Sequence, residues 1–266
     1  MPLKNISRHV HYVDWPAQQV LALTTTRHNR IQLCDQTTDL TKYSTFNLGH
    51  HVGDNHEQVT TNRQSLLSLL PENSSIQWFE QIHRTDVAII ESVADKPIVA
   101  DAAITKAKNV ALAIMTADCL PILLATKNGN EIAAIHGGWR PLVGNIIAHT
   151  LAKMTADPSD IVAWLGPCIG SNAFEVGAEV KQQFIEQSST FEQAFKKPRY
   201  SLTLSPESQG DKFLADLALI ARLQLNQSGI TDVSHLPHCT FSQKDKYFSY
   251  RRDGQTGRMA SVICRA

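Results

Sequence analysis

The sequence predicts a single-domain α/β protein, a mixed sandwich with helices outside a largely mixed or antiparallel sheet. Apolar runs of strand length fill the middle of the chain, and amphipathic segments of helix length flank them. The 266 residues are near the size at which one hydrophobic core stops growing, and no linker or internal repeat divides them. We therefore expect one domain over residues 1–266.

The first half of the chain gives one helix signal followed by strand signals. Asp54, with Glu57 three residues later, has the spacing of a capping box and opens a helix that stops at Pro71. Residues 75–83 and 86–92 then predict two strands joined by a short loop.

The middle of the chain predicts buried strands. Residues 110–118 and 121–127 are apolar, β-rich runs bounded by polar residues, which is typical of strands covered on both faces. The Asn-Gly pair at 128–129 is a strong hairpin signal that leads into a strand over 131–138. A helix over 139–154, with a proline in its first turn, is expected next.

The rest of the chain predicts a strand, two helices and a closing hairpin. The expected elements are a buried strand at 160–167, helices at 174–187 and 211–229, and strands at 247–252 and 258–264 around a DGQTG turn. The more polar stretch Gln187–Gln209, between the two helices, is expected to be an insertion or a surface excursion.

Composition excludes several classes of protein. Hydrophobic residues make up 42% and charged residues 19%, as in a globular enzyme rather than a disordered chain. Lys plus Arg equal Asp plus Glu at 25 each, so the charge balance favours neither a nucleic acid nor a membrane surface as a partner. No apolar run has the length of a signal peptide or a membrane span, and we expect a cytoplasmic protein.

The cysteines do not predict a disulfide framework. Their number is odd and no pair has C-x-x-C spacing, which also argues against a structural zinc ribbon. Most of them are expected to be small core residues. The five are Cys34, Cys119, Cys168, Cys239 and Cys264.

Three metal-binding residue types stand at the ends of predicted strands. They are His83, Cys119 and His136, separated by intervals too long for a compact zinc finger. Strand ends that meet at one cleft hold side chains rigidly and leave access for a substrate. Three such ligands suit an open catalytic zinc site, whose fourth position is kept for water or substrate.

Spacing alone leaves two other interpretations open. A single His or Cys on a strand is more often a satisfied core residue than a ligand. Cys119 and His136 could also form a metal-free nucleophile and base pair, which the residues do not distinguish from a zinc site.

Other polar residues near these strand ends are candidates for the same cleft. Asp101 and Asp118 flank apolar runs, where each could orient a ligand histidine, transfer a proton or simply cap a turn. Arg140 follows two glycines at a predicted helix start, where an anion could be held. Arg251 and Arg252 would point to opposite faces of a strand, so at most one is expected in the cleft and the other in solvent.

A copper site is the weaker metal hypothesis. A multicopper oxidase needs several H-x-H pairs, and His9-x-His11 is the one such pair in the sequence. A blue-copper site would need a histidine close to the cysteine, and Cys119 has Met115 nearby but no adjacent histidine.

Seven motifs in order resemble the YfiH family, also called laccase-domain proteins, polyphenol oxidase-like proteins or peptidoglycan editing factors. The resemblance runs from Phe46 to Ile263 and is most specific where TADC is followed by IHGGWR. It implies a three-layer α/β fold similar to that of a deamidating toxin with a Cys–His site (the putative cysteine hydrolase fold). The motifs are FNLGHHVGD, QIHRTDV, ADAAIT, TADCLPILL, AAIHGGWR, GPCIG and YFSYRRDGQTGRMASVI.

The resemblance also implies a cofactor and an activity. The family's ligands of one catalytic zinc ion fall on His83, Cys119 and His136. The implied reaction is phosphorolysis of adenosine, inosine, guanosine and methylthioadenosine to the free base and a ribose 1-phosphate, with adenosine deamination at the same site. Purine nucleosides and phosphate are thus the expected partners of a monomer or small homo-oligomer.

Further roles follow as hypotheses from this activity. Arg140, Arg251 or the glycine-turn N–H groups would bind phosphate, and Asn47 would hydrogen-bond the ribose or the base. Asp118 would act as general acid or as orienter of the cysteine. Arg84 replaces the glycine that often follows the first ligand, which changes access or charge at the cleft mouth.

Three alternatives remain at this point. One is a copper-dependent phenol oxidase, and another is a metal-free Cys–His hydrolase acting on amides or peptidoglycan precursors. The third is a partner of cell-wall ligases that has no chemistry of its own.

Overall fold

The structure, a computed structural model, describes residues 10–17, 19–28, 41–198 and 211–266. Cys34, His9 of the H-x-H pair and residues 199–209 of the predicted polar excursion lie outside these ranges.

The described residues form sixteen strands and six α-helices. In chain order the strands are β1 Val10–Val13, β2 Val20–Thr25, β3 Ser75–Gln77, β4 Phe79–Glu80, β5 Val87–Ile89, β6 Ile98–Val99, β7 Ala102–Thr105, β8 Val110–Thr116, β9 Leu120–Thr126, β10 Ile132–Gly137, β11 Ile161–Leu165, β12 Glu175–Gly177, β13 Phe195–Lys196, β14 Lys212–Ala215, β15 Val233–His235 and β16 Met259–Arg265. The helices are α1 His56–Leu67, α2 Trp139–Val143, α3 Ile146–Leu151, α4 Ala178–Gln187, α5 Leu217–Gln227 and α6 Tyr250–Asp253.

Two mixed sheets form the centre of the fold. The five-stranded sheet has the order β1-β2-β16-β8-β3, and the six-stranded sheet has the order β15-β11-β9-β10-β7-β5. Within them β3 pairs with β8, β5 with β7 and β11 with β15 in parallel, and the other neighbours are antiparallel. The predicted α/β class with mixed sheets is confirmed.

The two sheets stack face to face, and helices cover their outer faces. Side chains of β8 and β16 meet those of β9, β10 and β11 in the apolar cluster between the sheets. Helices α2, α3 and α5 pack on the far face of the six-stranded sheet. Helix α1 covers the far face of the five-stranded sheet, which adds one outer layer to the three that were expected.

Strands β8 and β9 are buried on both faces, as their continuous apolar runs predict. In β8, Leu112 and Ile114 point between the sheets, whereas Ala111 and Ala113 point towards α1. Alternate residues of a strand point to opposite faces, so each face must be apolar when both are covered. The Asn-Gly hairpin between β9 and β10 is also found, with Gly129 at φ 66°.

The helices differ from expectation mainly at their ends. The N-cap of α1 is Asn55, whose side chain accepts from Gln58 N, and Asp54 is not the cap. The helix predicted over 139–154 is broken into α2 and α3 by Asn145, which has a left-handed φ of 59°. Predicted helices 174–187 and 211–229 begin four and six residues late, because β12 and β14 occupy their first residues.

Two predicted strands are wrong. Residues 247–252 do not form a strand: Ser249 caps Arg252 N and opens the short helix α6. Residues 75–83 form the short strands β3 and β4, and the chain leaves β4 before His83 is reached. Part of the predicted surface excursion also packs inside, since Phe191 and Phe195 are buried against α4.

Candidate metal centre

Three different segments bring His83, Cys119 and His136 together. His136 is the second-last residue of β10, Cys119 lies in the turn between β8 and β9, and His83 lies in the loop after β4. The possible ligand atoms of the three all lie within 4.8 Å of one another. Cys119 Sγ is 3.9 Å from His83 Nε2, and the two imidazole rings lie edge to face with centroids 4.7 Å apart.

The shared strand-end layout is present in His136 but not in His83. His83 is exposed and takes a left-handed φ of 59°, which is unusual for a residue other than glycine. The surrounding structure has to impose this conformation, because an isolated backbone would not favour it. The source of the constraint is a buried carboxylate.

Asp101 organises the whole loop around His83. Its side chain is fully buried, and its two oxygens accept hydrogen bonds from the backbone N–H groups of residues 82, 83 and 84 at 3.2, 3.0 and 2.7 Å. The same carboxylate is 2.8 Å from His136 Nδ1. That contact directs the Nε2 atom of His136 towards the cluster, which is the way a ligand histidine is commonly oriented.

The electrostatics of the cluster favour a thiolate beside an imidazolium. Burial raises the pKa of the Cys119 thiol, but the neighbouring imidazoles of His136 and His83 outweigh it and bring the pKa to about 6. Burial lowers the pKa of His136, but Cys119 and Asp101 outweigh it and bring the pKa to about 9. A thiol that ionises at neutral pH is ready to bind a metal or to act as a nucleophile.

Asp118 lies beside Cys119 but is occupied by the fold. One carboxylate oxygen accepts from Thr240 Oγ1 at 2.6 Å and the other from the backbone N–H of Arg251 at 2.7 Å. Asp118 itself has a φ of 99°, and its carbonyl accepts from Ile169 N. These contacts fix the turn that presents Cys119, and they suit a positioning role better than that of a proton donor.

Gly138 allows the loop after β10 to approach the cluster closely. A Cβ atom at this position would lie 3.3 Å from Cys119 Sγ and 3.3 Å from His83 Cδ2. The second glycine of the GG pair therefore keeps space beside the cluster, which is a more specific role than a plain strand-to-helix turn.

The cluster opens into a cavity of about 920 Å³. Much of the cavity lining is aromatic or aliphatic, and Trp139, Phe174 and Tyr250 are among its residues. Asp118, Arg140 and Arg251 also line it. A mainly apolar cavity with a few polar groups is the usual form of a small-molecule site.

The two predicted arginines, Arg140 and Arg251, both line the cavity. Both are exposed: the Arg140 guanidinium carbon is 4.4 Å from the Trp139 ring centroid, and Arg251 donates to the Glu175 carbonyl at 2.9 Å. Arg252 is not a solvated charge, because it donates to the carbonyls of Thr240, Phe241 and Tyr247 and pairs with Asp253. The short helix α2, only five residues long, follows the glycine turn.

Asn47 does not line the cavity. It is fully buried, and its amide nitrogen donates to Gly49 O and Asp54 Oδ2. Its Oδ1 accepts from Gly49 N and Arg258 N. The side chain therefore holds the FNLGHHVGD loop against Arg258 and has no bond left for a ribose or a base.

Two arginines of the cavity lining were not candidates at the sequence level. Arg63 projects from α1, and Arg258 immediately precedes β16; both are partly buried and both line the cavity. Helical periodicity gave no signal for Arg63, since a polar residue on an amphipathic helix is normally solvated. Arg84, in contrast, is exposed and is not among the lining residues.

The residues present fit a single metal ion. Zinc bonds of about 2.1 Å to nitrogen and about 2.3 Å to sulfur place such atoms roughly 3.6 Å apart, near the 3.9 Å between Cys119 Sγ and His83 Nε2. The lowered pKa of Cys119, the Asp101 contact to His136 and the open fourth side towards the cavity complete this fit. Within the described ranges this is the one group of three such ligands.

Fold and site together define an α/β protein with a His-Cys-His cluster of metal-binding geometry in a small-molecule cavity. The family model described as multi-copper polyphenol oxidoreductase laccase matches residues 22–266. The chain belongs to this family, which includes the YfiH proteins.

Curated relatives and solved structures agree with this membership. The chain is 39% identical to a purine nucleoside phosphorylase of Haemophilus influenzae over 98% of this chain and 97% of that protein. It is 38% identical to the purine nucleoside phosphorylase YfiH of Escherichia coli over 94% of this chain and 96% of that protein. A crystal structure from Neisseria meningitidis matches with a TM-score of 0.83 and 38% identity, covering 97% of this chain and 99% of that one.

None of the helices in the described ranges is long and apolar enough to cross a bilayer.

Proposed function

We propose that this protein is a purine nucleoside phosphorylase that holds one zinc ion on His83, Cys119 and His136. Its substrates are adenosine, inosine, guanosine and methylthioadenosine, and it deaminates adenosine at the same site. The observation that carries the proposal is the opening of the His-Cys-His cluster into a cavity with both aromatic and cationic walls. Two relatives of nearly equal length that carry the name purine nucleoside phosphorylase support it.

The reaction exchanges one bond at the sugar. A phosphate oxygen bonds to the ribose C1′ as the bond from C1′ to the purine nitrogen breaks, and the electron pair leaves with the purine. The proton of the hydrogen phosphate ends on the purine, so that atoms and charge balance. Negative charge passes from phosphate to base, and a cationic cavity that excludes water stabilises both.

The residues divide the work according to their positions. Trp139, Phe174 and Tyr250 offer flat or apolar surface for a purine, and Arg140 and Arg251 lie where they can contact the polar edges of the substrate. Asp101 and Asp118 act as positioning residues for the cluster. A bound zinc ion would supply a Lewis acid that stabilises negative charge beside it.

The proposal treats the whole chain as one catalytic unit. Residues of the cavity come from α1, from the turn after β8, from α2 and from the segment before β16. These segments span most of the described chain, so no shorter piece would hold a complete site.

A metal-free Cys–His hydrolase is the second candidate, because one observation favours it. The lowered pKa of Cys119 and the raised pKa of His136 describe a thiolate–imidazolium pair, which is also the resting state of a cysteine nucleophile. Copper-dependent phenol oxidation, which the family description suggests, would need more metal ligands than the one cluster found among the described residues.

One experiment separates these functions. Purified protein is incubated with adenosine, inosine, guanosine and methylthioadenosine, with and without phosphate, and the products are read by chromatography. Metal content is measured on the same sample, and phenol oxidation is assayed with added copper. We expect phosphate-dependent release of free base by zinc-loaded protein, and inosine from adenosine without phosphate.

Cys119→Ala tests the site and Cys239→Ala is its matched control. Cys239 is a partly buried cysteine that is not among the cavity-lining residues. We expect the first variant to lose zinc and phosphorolysis together and the second to keep both. Full phosphorolysis by zinc-free protein would refute the metal mechanism, and amide hydrolysis by such protein would favour the second candidate.

A further inference from the structure

Arg63 is a partly buried cation without an acidic partner in the described chain. Its Nε donates to Leu48 O at 2.9 Å, its Nη2 lies 3.7 Å from Met115 Sδ, and its guanidinium carbon lies 3.8 Å from the Trp78 ring centroid. Among the described residues no carboxylate forms a salt bridge with it, and its Nη1 has no acceptor. Burial lowers the pKa of Arg63 to about 10.

Arg258, directly before β16, is also partly buried and forms no salt bridge among the described residues. Its Nη1 donates to the carbonyls of Thr256 and Gly257 at 2.9 and 3.0 Å, which leaves Nε and Nη2 without an acceptor in the described ranges. Burial is the main reason that the pKa of this guanidinium is lowered. The side chain lies over Gly49, where a Cβ atom would come within 2.9 Å of Arg258 Cγ.

Two neutral imidazoles lie beside these guanidinium groups. Burial and then the Arg63 charge lower the pKa of His50 to about 4, and its Nδ1 is buried without a hydrogen-bond partner. Burial followed by the charges of Arg258 and Arg63 lowers the pKa of His51. Both histidines line the cavity, and at neutral pH neither adds to the charge.

The four side chains together have unused donors, and their positive charge is offset only in part, by Cys119 and Asp118 near Arg258. Two guanidinium groups kept partly out of water, neither of them in a salt bridge among the described residues, are costly unless an anion completes the site. A phosphate dianion has the matching charge, and its oxygens pair well with guanidinium groups in a two-pronged arrangement. The neutral imidazoles can donate to it or accept from its hydroxyl.

We infer that Arg63 and Arg258, assisted by His50 and His51, form the phosphate subsite of the cavity, an inference that rests on the proposed function. The same chemistry would accept inorganic phosphate or the 5′-phosphate of a nucleotide. Arg140 and Arg251 are weaker candidates because both are exposed, and their guanidinium groups lie over the rings of Trp139 and Phe174. Hydrated cations of that kind gain little when they meet an anion.

The subsite is connected to the His-Cys-His cluster through few contacts. Met115, whose sulfur touches Arg63, exchanges two backbone hydrogen bonds of 2.8 Å with the side chain of Gln81. Gln81 precedes His83 by two residues. Arg63 and the loop that carries His83 are therefore linked through Met115 and Gln81.

The test measures phosphate binding and phosphorolysis separately. Binding of radiolabelled inorganic phosphate to zinc-loaded protein is followed by equilibrium dialysis without nucleoside, and KM for phosphate is measured with inosine. The variants are Arg63→Gln, Arg258→Gln and Arg63→Lys, with Arg84→Gln as a control that removes an equal charge outside the cavity lining. Circular dichroism, thermal unfolding and zinc content show whether each variant is folded.

Each glutamine variant should weaken phosphate binding and raise the phosphate KM at least about tenfold, as expected for loss of charge-assisted hydrogen bonds. The KM for inosine should change less than about twofold, and Arg63→Lys should recover part of the binding. Arg84→Gln should match the parent protein. If Arg63→Gln does not fold, Arg258→Gln and Arg63→Lys carry the test.

Unchanged phosphate binding in both glutamine variants would overturn the inference, as would an equal loss in Arg84→Gln. If the glutamine variants catalyse phosphorolysis with an unaltered KM for phosphate, the proposed subsite is wrong and the phosphorylase function stands. If the glutamine variants lose phosphate binding but the parent protein shows no phosphorolysis, the anion subsite stands and the phosphorylase function falls. Competition by adenosine 5′-monophosphate, but not by adenosine, would identify the nucleotide phosphate as the ligand; competition by neither would identify inorganic phosphate.

Discussion

Asp101→Asn is the most informative single substitution in this protein, because one fully buried carboxylate serves both His136 and the His83 loop. The change keeps shape and volume. One oxygen remains to accept from His136 and the residue 83 amide. The other becomes an NH₂ group that faces the N–H groups of residues 82 and 84, donor against donor.

The magnitude follows from those contacts. Two hydrogen bonds to a charged acceptor are lost, at about 1.5–3 kcal/mol each, so the free energy of unfolding should fall by about 3–6 kcal/mol. The His136 contact loses its charge, which makes the imidazole a weaker ligand. Loss of such a partner typically lowers metal affinity about 10–100-fold.

Zinc affinity is measured by competition with a chromophoric chelator, and stability by urea unfolding of the metal-free protein. Asp86→Asn is the matched control, since it makes the same chemical change on an exposed side chain of the same loop. The reasoning fails if Asp101→Asn binds zinc as tightly as the parent protein. It also fails if Asp86→Asn weakens binding equally.

Three further outcomes are expected. In metal-free protein, the rate of Cys119 alkylation should be half-maximal near pH 6, because the reactive thiolate forms above the lowered pKa of this thiol. Mass spectrometry measures the rate at each pH. A midpoint near the pKa of an ordinary thiol, about 8.5, would contradict the effect inferred from the geometry. His136→Gln should move that midpoint to higher pH, since it removes the cation that favours the thiolate; an unmoved profile would mean that His83 alone sets the pKa. Gly138→Val should lower zinc affinity at least about tenfold with little loss of stability, because the valine side chain would enter the space beside Cys119 and His83. Metal titration and crystallography check this outcome. Zinc binding equal to that of the parent protein would show that the loop relaxes freely around the new side chain.

The interior of the fold was predictable because burial on both faces leaves a strong pattern. The runs that became β8 and β9 are apolar at every position except a final threonine, and the hairpin after β9 is marked by Asn-Gly. The segment 247–252 was misjudged because its aromatic residues favour a strand. The actual element is decided by the Ser249 cap and by contacts to distant Asp118, which no local pattern contains.

The candidate site was predictable in its ligands and less so in its walls. His83, Cys119 and His136 carry side chains whose chemistry points to a metal, and ordered motifs surround them. Asn47 was placed in the site from its motif, although the structure uses it to hold a loop. Neither Arg63 nor Arg258 was among the predicted site residues, because their significance comes from long-range packing that removes water from them.

The five-stranded sheet also constrains when the cavity can exist during synthesis. Its central strand, β16, lies between β2 and β8 yet ends at Arg265, and Arg258 stands directly before it. While the ribosome has not yet made these residues, β2 and β8 lack their shared partner, and both edges are open to wrong pairings. Translation through residue 265 is therefore a precondition for the cavity, and a frameshift just upstream of residue 258 would remove a structural strand and the proposed anion-binding arginine at once.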